Sequence, residues 1–137
     1  MASFVKYNII SEDLAEKAHN FGSDTLKLAL SNTAPDATDT DLTSITEISA
    51  GNGYSSGGAT ITVTASSQAA GTYKIVANDV VFTASGGTIG PFRYVIWINS
   101  TANRVIGYWD YASAITLQDG ETFTVDFSPT NGVLQIA

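Results

Sequence analysis

The chain has 137 residues, a formal net charge of −7 and no cysteine, and only 14% of its residues are charged. Without cysteine, disulfides, thiolate metal sites and thiol nucleophiles are excluded, and an acidic chain lacks the clustered Lys and Arg that bind nucleic acid or an anionic membrane surface. The N-terminus has no apolar core of a secretion signal, and no apolar run reaches the roughly 20 residues that span a bilayer. We therefore expect synthesis and folding in the cytoplasm, or export by a route that leaves no signal in this sequence.

The scarcity of charge points to a covered surface. A small soluble domain usually carries about 25% charged residues, well above the 14% found in this chain. Two interpretations stay open at this stage. Part of the surface is covered by a partner or by copies of the chain, or Ser, Thr and Gly keep a β-rich surface soluble without charge.

The first part of the sequence predicts an extended segment, a short helix and a strand. Residues 4–10 are extended in character. Ser11 is a suitable N-cap for a helix over residues 11–19, and Gly22 suits the left-handed conformation that often follows a helix. Residues 24–31 alternate between apolar and more polar side chains, which is typical of a half-buried strand.

The middle of the sequence predicts two long loops. Residues 32–43 are polar, residues 45–48 form a short strand at most, and residues 50–58 are rich in glycine and therefore flexible by composition. The first loop contains three carboxylates, Asp36, Asp39 and Asp41. It lacks the glycine and terminal glutamate of a calcium-binding EF-hand loop, so we interpret it as a solvated loop.

The second half predicts a series of short strands separated by turns. Asn78 and Asp79 form a two-residue link that suits a tight hairpin. Residues 92–99 and 104–110 are apolar on both faces, which is typical of strands covered on both sides. The pattern predicts an antiparallel β-sandwich or barrel forming one domain over residues 1–137. The predicted strands are 59–65, 72–77, 80–84, 92–99, 104–110, 116–117, 122–127 and 133–136.

Candidate catalytic groups are few. His19 is the only histidine and stands at the end of the predicted helix, where a basic side chain interacts favourably with the last carbonyls. Asp119 and Glu121 flank a turn glycine, so they do not form the spaced carboxylate pair of a glycosidase. The sequence therefore predicts no catalytic residue, no cofactor and no metal site, and we expect a protein that is not an enzyme.

Aromatic residues form a group in two neighbouring strands. Trp97, Tyr108, Trp109 and Tyr111 are either core and interface residues or an exposed platform for a sugar. Arginines flank the two strands, and Arg is favoured at protein interfaces. The residues that we expect to contact a partner are Phe4, Tyr7, Tyr54, Arg93, Arg104, Tyr108 and Tyr111.

Four stretches give the chain a family resemblance: HNFGSDTLKLALSNTAP (19–35), ITEISAGNGY (45–54), FTASGGTIGPFRY (82–94) and DGETFTVD (119–126). Together they span nearly the whole chain, and they resemble small virion proteins encoded by tailed bacteriophages and prophages. In size, acidity and all-β character the chain is similar to capsid decoration (cement) proteins. It lacks the trimerising coiled coil or β-helix repeat that many tail fibres show.

The resemblance implies a jelly-roll-like β-sandwich with one short N-terminal helix. It implies a protein on the exterior of the capsid, bound as a homodimer or homotrimer to the major capsid protein, which stabilises the head. The virion would be its location, after synthesis in the cytoplasm of the host bacterium. The alternative function is that of a tail or baseplate component that binds a host surface glycan.

Overall fold

Two long strands, β7 (Ile89–Asn99) and β8 (Arg104–Leu117), form the antiparallel hairpin on which the fold is built. The structure is a computed structural model that describes residues 2–137. The other elements within those residues are β1 (Ser3–Lys6), α1 (Ile10–Ala15), β2 (Leu26–Ser31), a 3-10 turn (Leu42–Ser44), β3 (Ala59–Thr60), β4 (Val63–Ala69), β5 (Thr72–Ala77), β6 (Val80–Thr83), β9 (Thr122–Val125) and β10 (Leu134–Ile136).

The strands form three antiparallel sheets. The largest has five strands in the order β1-β8-β7-β2-β3, the second has the order β10-β5-β4, and the third pairs β6 with β9. Every strand pair is antiparallel. The prediction of a mostly antiparallel β protein with a short N-terminal helix is therefore confirmed.

The main hydrophobic core lies between the five-stranded sheet and the two smaller sheets. Residues of all three sheets share it, including Leu28 and Trp97 from the large sheet, Ile75 from the second and Phe82 from the third. Trp97, Leu28 and Ile75 are completely buried, and burial of each such side chain contributes about 1.5–3 kcal/mol. This shared core holds the three sheets together.

A second, smaller hydrophobic cluster covers the opposite face of the large sheet. Tyr94, Ile96 and Ile98 of β7 and Val105 of β8 pack there with Tyr7, and the loop residues Leu42 and Ile45 cover them. Strand β7 is therefore enclosed on both sides, as its two apolar faces predicted.

The N-terminal helix differs from the prediction in its boundaries. It spans Ile10–Ala15, its N-cap residue is Ile9, and no side chain caps it. The left-handed conformation that follows the helix is adopted by Lys17, with φ 66°, and not by Gly22. Ser11 therefore lies inside the helix, and its predicted capping role is wrong.

Other local predictions are corrected by the sheet pairing. Strands β5 and β6, on either side of Asn78 and Asp79, belong to different sheets, so the predicted tight hairpin is wrong. The Asp79 carboxylate instead accepts a hydrogen bond from the Phe127 amide, 2.9 Å away. No strand forms over residues 45–48, although the Ile48 amide donates to the Leu30 carbonyl. Residues 104–117 form one continuous strand and not two.

Candidate functional site

The predicted contact residue Tyr54 is buried, with 3% of its surface exposed. Its hydroxyl accepts a hydrogen bond from the Leu30 amide at 3.0 Å and donates one to Glu47 Oε1 at 2.5 Å. Burial, followed by the bond to Glu47, raises the pKa of Tyr54. The same Glu47 oxygen accepts a bond from the Gly57 amide. Tyr54 therefore anchors the glycine-rich loop from inside the fold, and its predicted exposure is wrong.

Close backbone contacts also hold that glycine-rich loop in place. A Cβ atom on Gly58 would lie 2.0 Å from the Leu28 carbonyl oxygen, and one on Gly53 would lie 2.1 Å from the Thr83 carbonyl oxygen. Both glycines have positive φ, +84° and +103°. The glycines thus permit close approach to neighbouring strands, a role that composition alone does not separate from flexibility.

Tyr7 is fully buried as well. Its ring contacts Tyr108 at a centroid distance of 5.5 Å, and burial, followed by the charge of Asp39, raises its pKa. Within residues 2–137 its hydroxyl has no hydrogen-bond partner. The prediction that Tyr7 presents a contact surface is therefore wrong, because the second hydrophobic cluster encloses it.

The two predicted arginines form ion pairs within the chain. Arg93 binds both carboxylate oxygens of Asp110, at 2.7 and 3.0 Å, and lies over the ring of Tyr94. The hydrogen bond from Arg93 lowers the pKa of Asp110. Arg104 pairs with Asp13 at 3.3 Å. Both arginine side chains are 38% exposed. Each therefore reaches solvent, but some of its N–H donors are already bonded to an aspartate of the same chain.

The aromatic group is divided between the core and the partly exposed surface. Trp97 is fully buried, and Trp109 stacks on it at 6.4 Å. Tyr111 packs edge-on against Phe123 at 5.1 Å. Of the alternatives that the sequence left open, the structure places Trp97 in the core, while Tyr108, Trp109 and Tyr111 are half-buried. Trp109 and Tyr111 line a surface hollow of about 340 Å³, so only these two rings of the group are partly accessible there.

A buried polar network surrounds the only histidine. The side chain of His19 is fully enclosed, and its Nε2 faces Asp13 Oδ2 at 3.6 Å. The Asn99 amide nitrogen lies 3.0 Å from His19 Nδ1 and 2.7 Å from Asp24 Oδ2. Burial lowers the pKa of His19. Because the Asn99 oxygen accepts from the Ala102 amide, its nitrogen is oriented to donate to a neutral imidazole.

This network connects elements and has the character of a structural link. It joins helix α1, the segment before β2 and the β7–β8 hairpin through Asp13, Asp24 and Asn99. Within the described part of the chain, no group of three or more His, Asp or Glu side chains is placed to hold a metal ion. The structural role predicted for His19 is consistent with this geometry, although His19 lies beyond the helix and not at its last turn.

An apolar groove lies where the two ends of the chain meet. We call it the terminal groove. It has a volume of about 460 Å³ and runs between α1, β1 and the C-terminal strand β10. Its lining residues are Phe4, Lys6, Ile10, Ser11, Leu14, Ile106, Leu134, Gln135, Ile136 and Ala137.

The terminal groove collects most of the large apolar side chains that the fold leaves exposed. Within the described residues these are Phe4 (42% exposed), Leu14 (36%), Ile136 (39%) and Val81 (53%), and only Val81 lies outside the groove. Soluble proteins tend to leave such side chains single and scattered, and a cluster marks an interaction site. We therefore take the terminal groove as the candidate functional site.

Of the seven predicted contact residues, only Phe4 lines the terminal groove. Tyr7 and Tyr108 lie in or against the second cluster, and Tyr54 lies in the main core. The sequence missed Leu14 and Ile136. The exposure of Leu14 could have been predicted, because it is an apolar residue on a helix too short to bury every face. Nothing in the local sequence indicated that Ile136 would lie beside it.

A second hollow, of about 490 Å³, opens next to the His19 network. Its lining combines polar side chains, among them Lys17, Asn20 and Asp24, with the apolar ones of Phe21, Tyr73 and Ile136. Ile136 also lines the terminal groove. The Asp24 carboxylate already accepts hydrogen bonds from the Asn20 amide and the Asn99 side chain, so the hollow differs from the terminal groove in its mixed, partly paired polar lining.

Comparison with known proteins identifies no relative: no protein family, no curated protein and no solved structure matches the chain. Across residues 2–137 we also find no helix with the length and apolar character needed to cross a membrane.

Proposed function

We propose that this chain is a head decoration (cement) protein of a tailed bacteriophage that binds the outer surface of the major capsid protein lattice. The observation that carries the proposal is the terminal groove, where three of the four exposed large apolar side chains of residues 2–137 converge. An apolar side chain on a capsid loop would fill this groove. Such a central apolar anchor, surrounded by polar residues that exclude water, is the usual arrangement of a binding hot spot.

The proposed mechanism is mechanical. A protein that binds only the assembled lattice stabilises that lattice by mass action. The groove is suited to this role because its walls belong to elements held by the fold: β1 pairs with β8, and β10 pairs with β5. A wall that is already ordered loses little conformational entropy when it binds. No catalytic step or cofactor is required.

We further propose that the three sheets are a variant of the jelly-roll-like β-sandwich. One core shared by a five-stranded sheet and two smaller sheets supports a two-layer arrangement. The chain would function on the exterior of the virion as a homodimer or homotrimer, after synthesis in the host cytoplasm. Its partners would be the major capsid protein and copies of itself, without nucleic acid or membrane.

Binding to capsids lacking the protein tests the proposal. The double variant Leu14→Ser/Ile136→Ser removes two groove side chains, and Val81→Ser is the control because it removes an exposed apolar side chain outside the groove. Leu14 and Ile136 are 36% and 39% exposed, so burying what remains contributes roughly 0.5–1 kcal/mol each, about a third of a full side chain. Together they predict an affinity loss of about tenfold.

The assay is cosedimentation with expanded heads of the phage or prophage that encodes the chain, purified from a deletion strain. The wild type and Val81→Ser are expected to bind equally, and the double variant about tenfold more weakly. Equal binding by all three proteins would exclude the groove as the contact. An absence of wild-type binding would reject the decoration function.

The tail or baseplate alternative, binding to a host glycan, stays a prediction. It depends on an open aromatic platform, whereas Trp97 is fully buried and only Trp109 and Tyr111, both half-buried, line a small surface hollow. We therefore propose the decoration function alone.

A further inference from the structure

Strand β4 is an unusually open sheet edge. It is the outer strand of the β10-β5-β4 sheet, and six of its seven residues are exposed. The other strands at sheet edges within residues 2–137, namely β1, β3, β6, β9 and β10, have two to four residues each. Short edges limit unwanted pairing, whereas a long exposed edge is a template for another strand.

The common devices that protect an edge are missing from most of β4. Its sequence, VTASSQA, contains no charged residue and no proline. Its only bulge lies between Val63 and Ala65, so residues 65–69 pair regularly with β5. The neutral region is wider than the strand, because no charged residue occurs between Glu47 and Lys74.

The backbone of this edge has hydrogen-bonding groups directed outward. The two-residue turn Ala70–Gly71 closes the β4–β5 hairpin at the pair Ala69–Thr72. In an antiparallel ladder, hydrogen-bonded and non-hydrogen-bonded pairs alternate from such a turn. The closing pair Ala69–Thr72 is hydrogen-bonded, so the pairs that contain Gln68 and Ser66 are not. These two residues therefore direct their N–H and C=O groups away from β5, toward solvent.

We propose that β4 is the docking edge for a second copy of this chain, which pairs its own β4 antiparallel across a two-fold axis. The regular segment 65–69 is centred on Ser67, so antiparallel pairing joins Ser66 of each copy to Gln68 of the other. The two Ser67 residues then face each other at the axis. The product is a continuous six-stranded sheet.

Charge favours a second copy over a different partner. A strand without charge has nothing to recognise in an acidic or basic peptide, whereas two neutral strands meet without a like-charge contact. The rest of the chain, with its net charge of −7, is less suited to self-contact. Five paired residues bury less area than a standard interface, so we expect a reversible dimer of micromolar affinity.

Charge swapping at Ser67 tests the pairing. Ser67→Lys and Ser67→Asp each place two like charges at the axis. Lys74, the partner of Ser67 in the β4–β5 ladder, adds to the repulsion in the first and reduces it in the second, so Ser67→Lys is expected to sediment as a monomer where the wild type is a dimer, and Ser67→Asp to dimerise more weakly than the wild type. An equimolar mixture is expected to restore the dimer, because opposite charges then face each other. Gln118→Lys adds a charge at an exposed turn and is expected to leave the wild-type dimer intact. All variants are checked by circular dichroism.

Cross-linking provides a second, independent measurement. The chain has no cysteine, so Ser67→Cys introduces a single thiol. Directly opposed residues of a non-hydrogen-bonded pair lie about 4.5 Å apart at Cα, within the range of a disulfide. Mild oxidation with diamide is expected to convert most of the Ser67→Cys protein to a covalent dimer, with far less from Gln118→Cys.

A wild-type chain that stays monomeric over a hundredfold range of concentration would overturn the proposal. It would also be overturned by single-charge variants that dimerise as the wild type does, by a mixture that stays monomeric, or by equal cross-linking at positions 67 and 118. The dimer specifies the self-contact of the proposed function, and these experiments test it on the purified chain without capsids. Their failure would remove that self-contact and leave capsid binding through the terminal groove standing, whereas failure of capsid binding would leave the dimer standing.

Discussion

Removing the hydroxyl of Tyr54 tests how the five-stranded sheet is joined to the glycine-rich loop. In Tyr54→Phe, the Leu30 amide loses its hydrogen-bond partner at 3.0 Å, and Glu47 loses a donor at 2.5 Å. A buried donor left without a partner costs about 1–3 kcal/mol, and a hydrogen bond to a charged group contributes about 1.5–3 kcal/mol. Since Glu47 keeps its bond from the Gly57 amide and the two losses are not fully additive, we expect a destabilisation of about 3 kcal/mol.

The measurement is urea-induced unfolding followed by tryptophan fluorescence, with the free energy of unfolding obtained by linear extrapolation. Tyr73→Phe is the matched control, because its hydroxyl bonds the exposed Ser66 at 2.8 Å. Water replaces that bond, so the control is expected to lose under about 1 kcal/mol. If Tyr54→Phe is no less stable than Tyr73→Phe, the inferred anchoring role of the Tyr54 hydroxyl is refuted.

Three further predictions concern stability. Tyr7→Phe removes a buried hydroxyl with no partner in residues 2–137, so unfolding curves should show it as stable as the wild type or up to about 1 kcal/mol more stable; a loss above that size would contradict the enclosure argument. Gly58→Ala should cost more than about 3 kcal/mol, because its Cβ would lie 2.0 Å from the Leu28 carbonyl oxygen. Gly71→Ala, with φ +83° and open space around it, should cost about 1 kcal/mol; equal losses would refute the close approach. Burial lowers the pKa of His19 from its ordinary 6.5, so the unfolded chain binds a proton at a higher pH than the folded chain does. The contribution of neutral His19 to the free energy of unfolding should therefore be complete above pH 6.5 and decline as the pH falls below it. Titrating the free energy of unfolding between pH 7 and 5 should show a steeper decline in the wild type than in His19→Gln, and identical slopes would reject the effect.

Local patterns in the sequence were sufficient for most of the strands. Residues 92–99 are apolar on both faces, and β7 is indeed covered on both faces, by the main core and by the cluster that contains Tyr94. Residues 24–31 correctly predicted β2. These predictions succeeded because the alternation of apolar and polar residues along a strand shows which of its faces are buried.

Pairing between distant segments could not be predicted. The link at Asn78 and Asp79 has the length of a hairpin turn, yet it carries the chain from one sheet to another. Its destination depends on β9 and β10, which pair with β6 and β5 much later in the sequence. Local turn chemistry describes the direction of the chain and contains no information about such partners.

The candidate site was hard to predict for the same reason. Tyr7 lies in a predicted extended segment and Tyr54 in a predicted loop, and both were expected to contact a partner, but tertiary packing encloses both of them. Conversely, Leu14 and Ile136 are ordinary apolar residues at opposite ends of the chain, and only the fold places them in one groove. Residue type indicated what could bind, and the topology determined what is accessible.

The most direct test of the proposed function is an electron cryomicroscopy map of the head of the encoding phage, compared with the head of a deletion mutant. We predict density for this chain at the junctions between capsomers, absent from the deletion, with the terminal groove around Leu14 and Ile136 directed at the shell. A deletion head with the same exterior density as the wild type would contradict the account, and so would density in which the groove faces solvent.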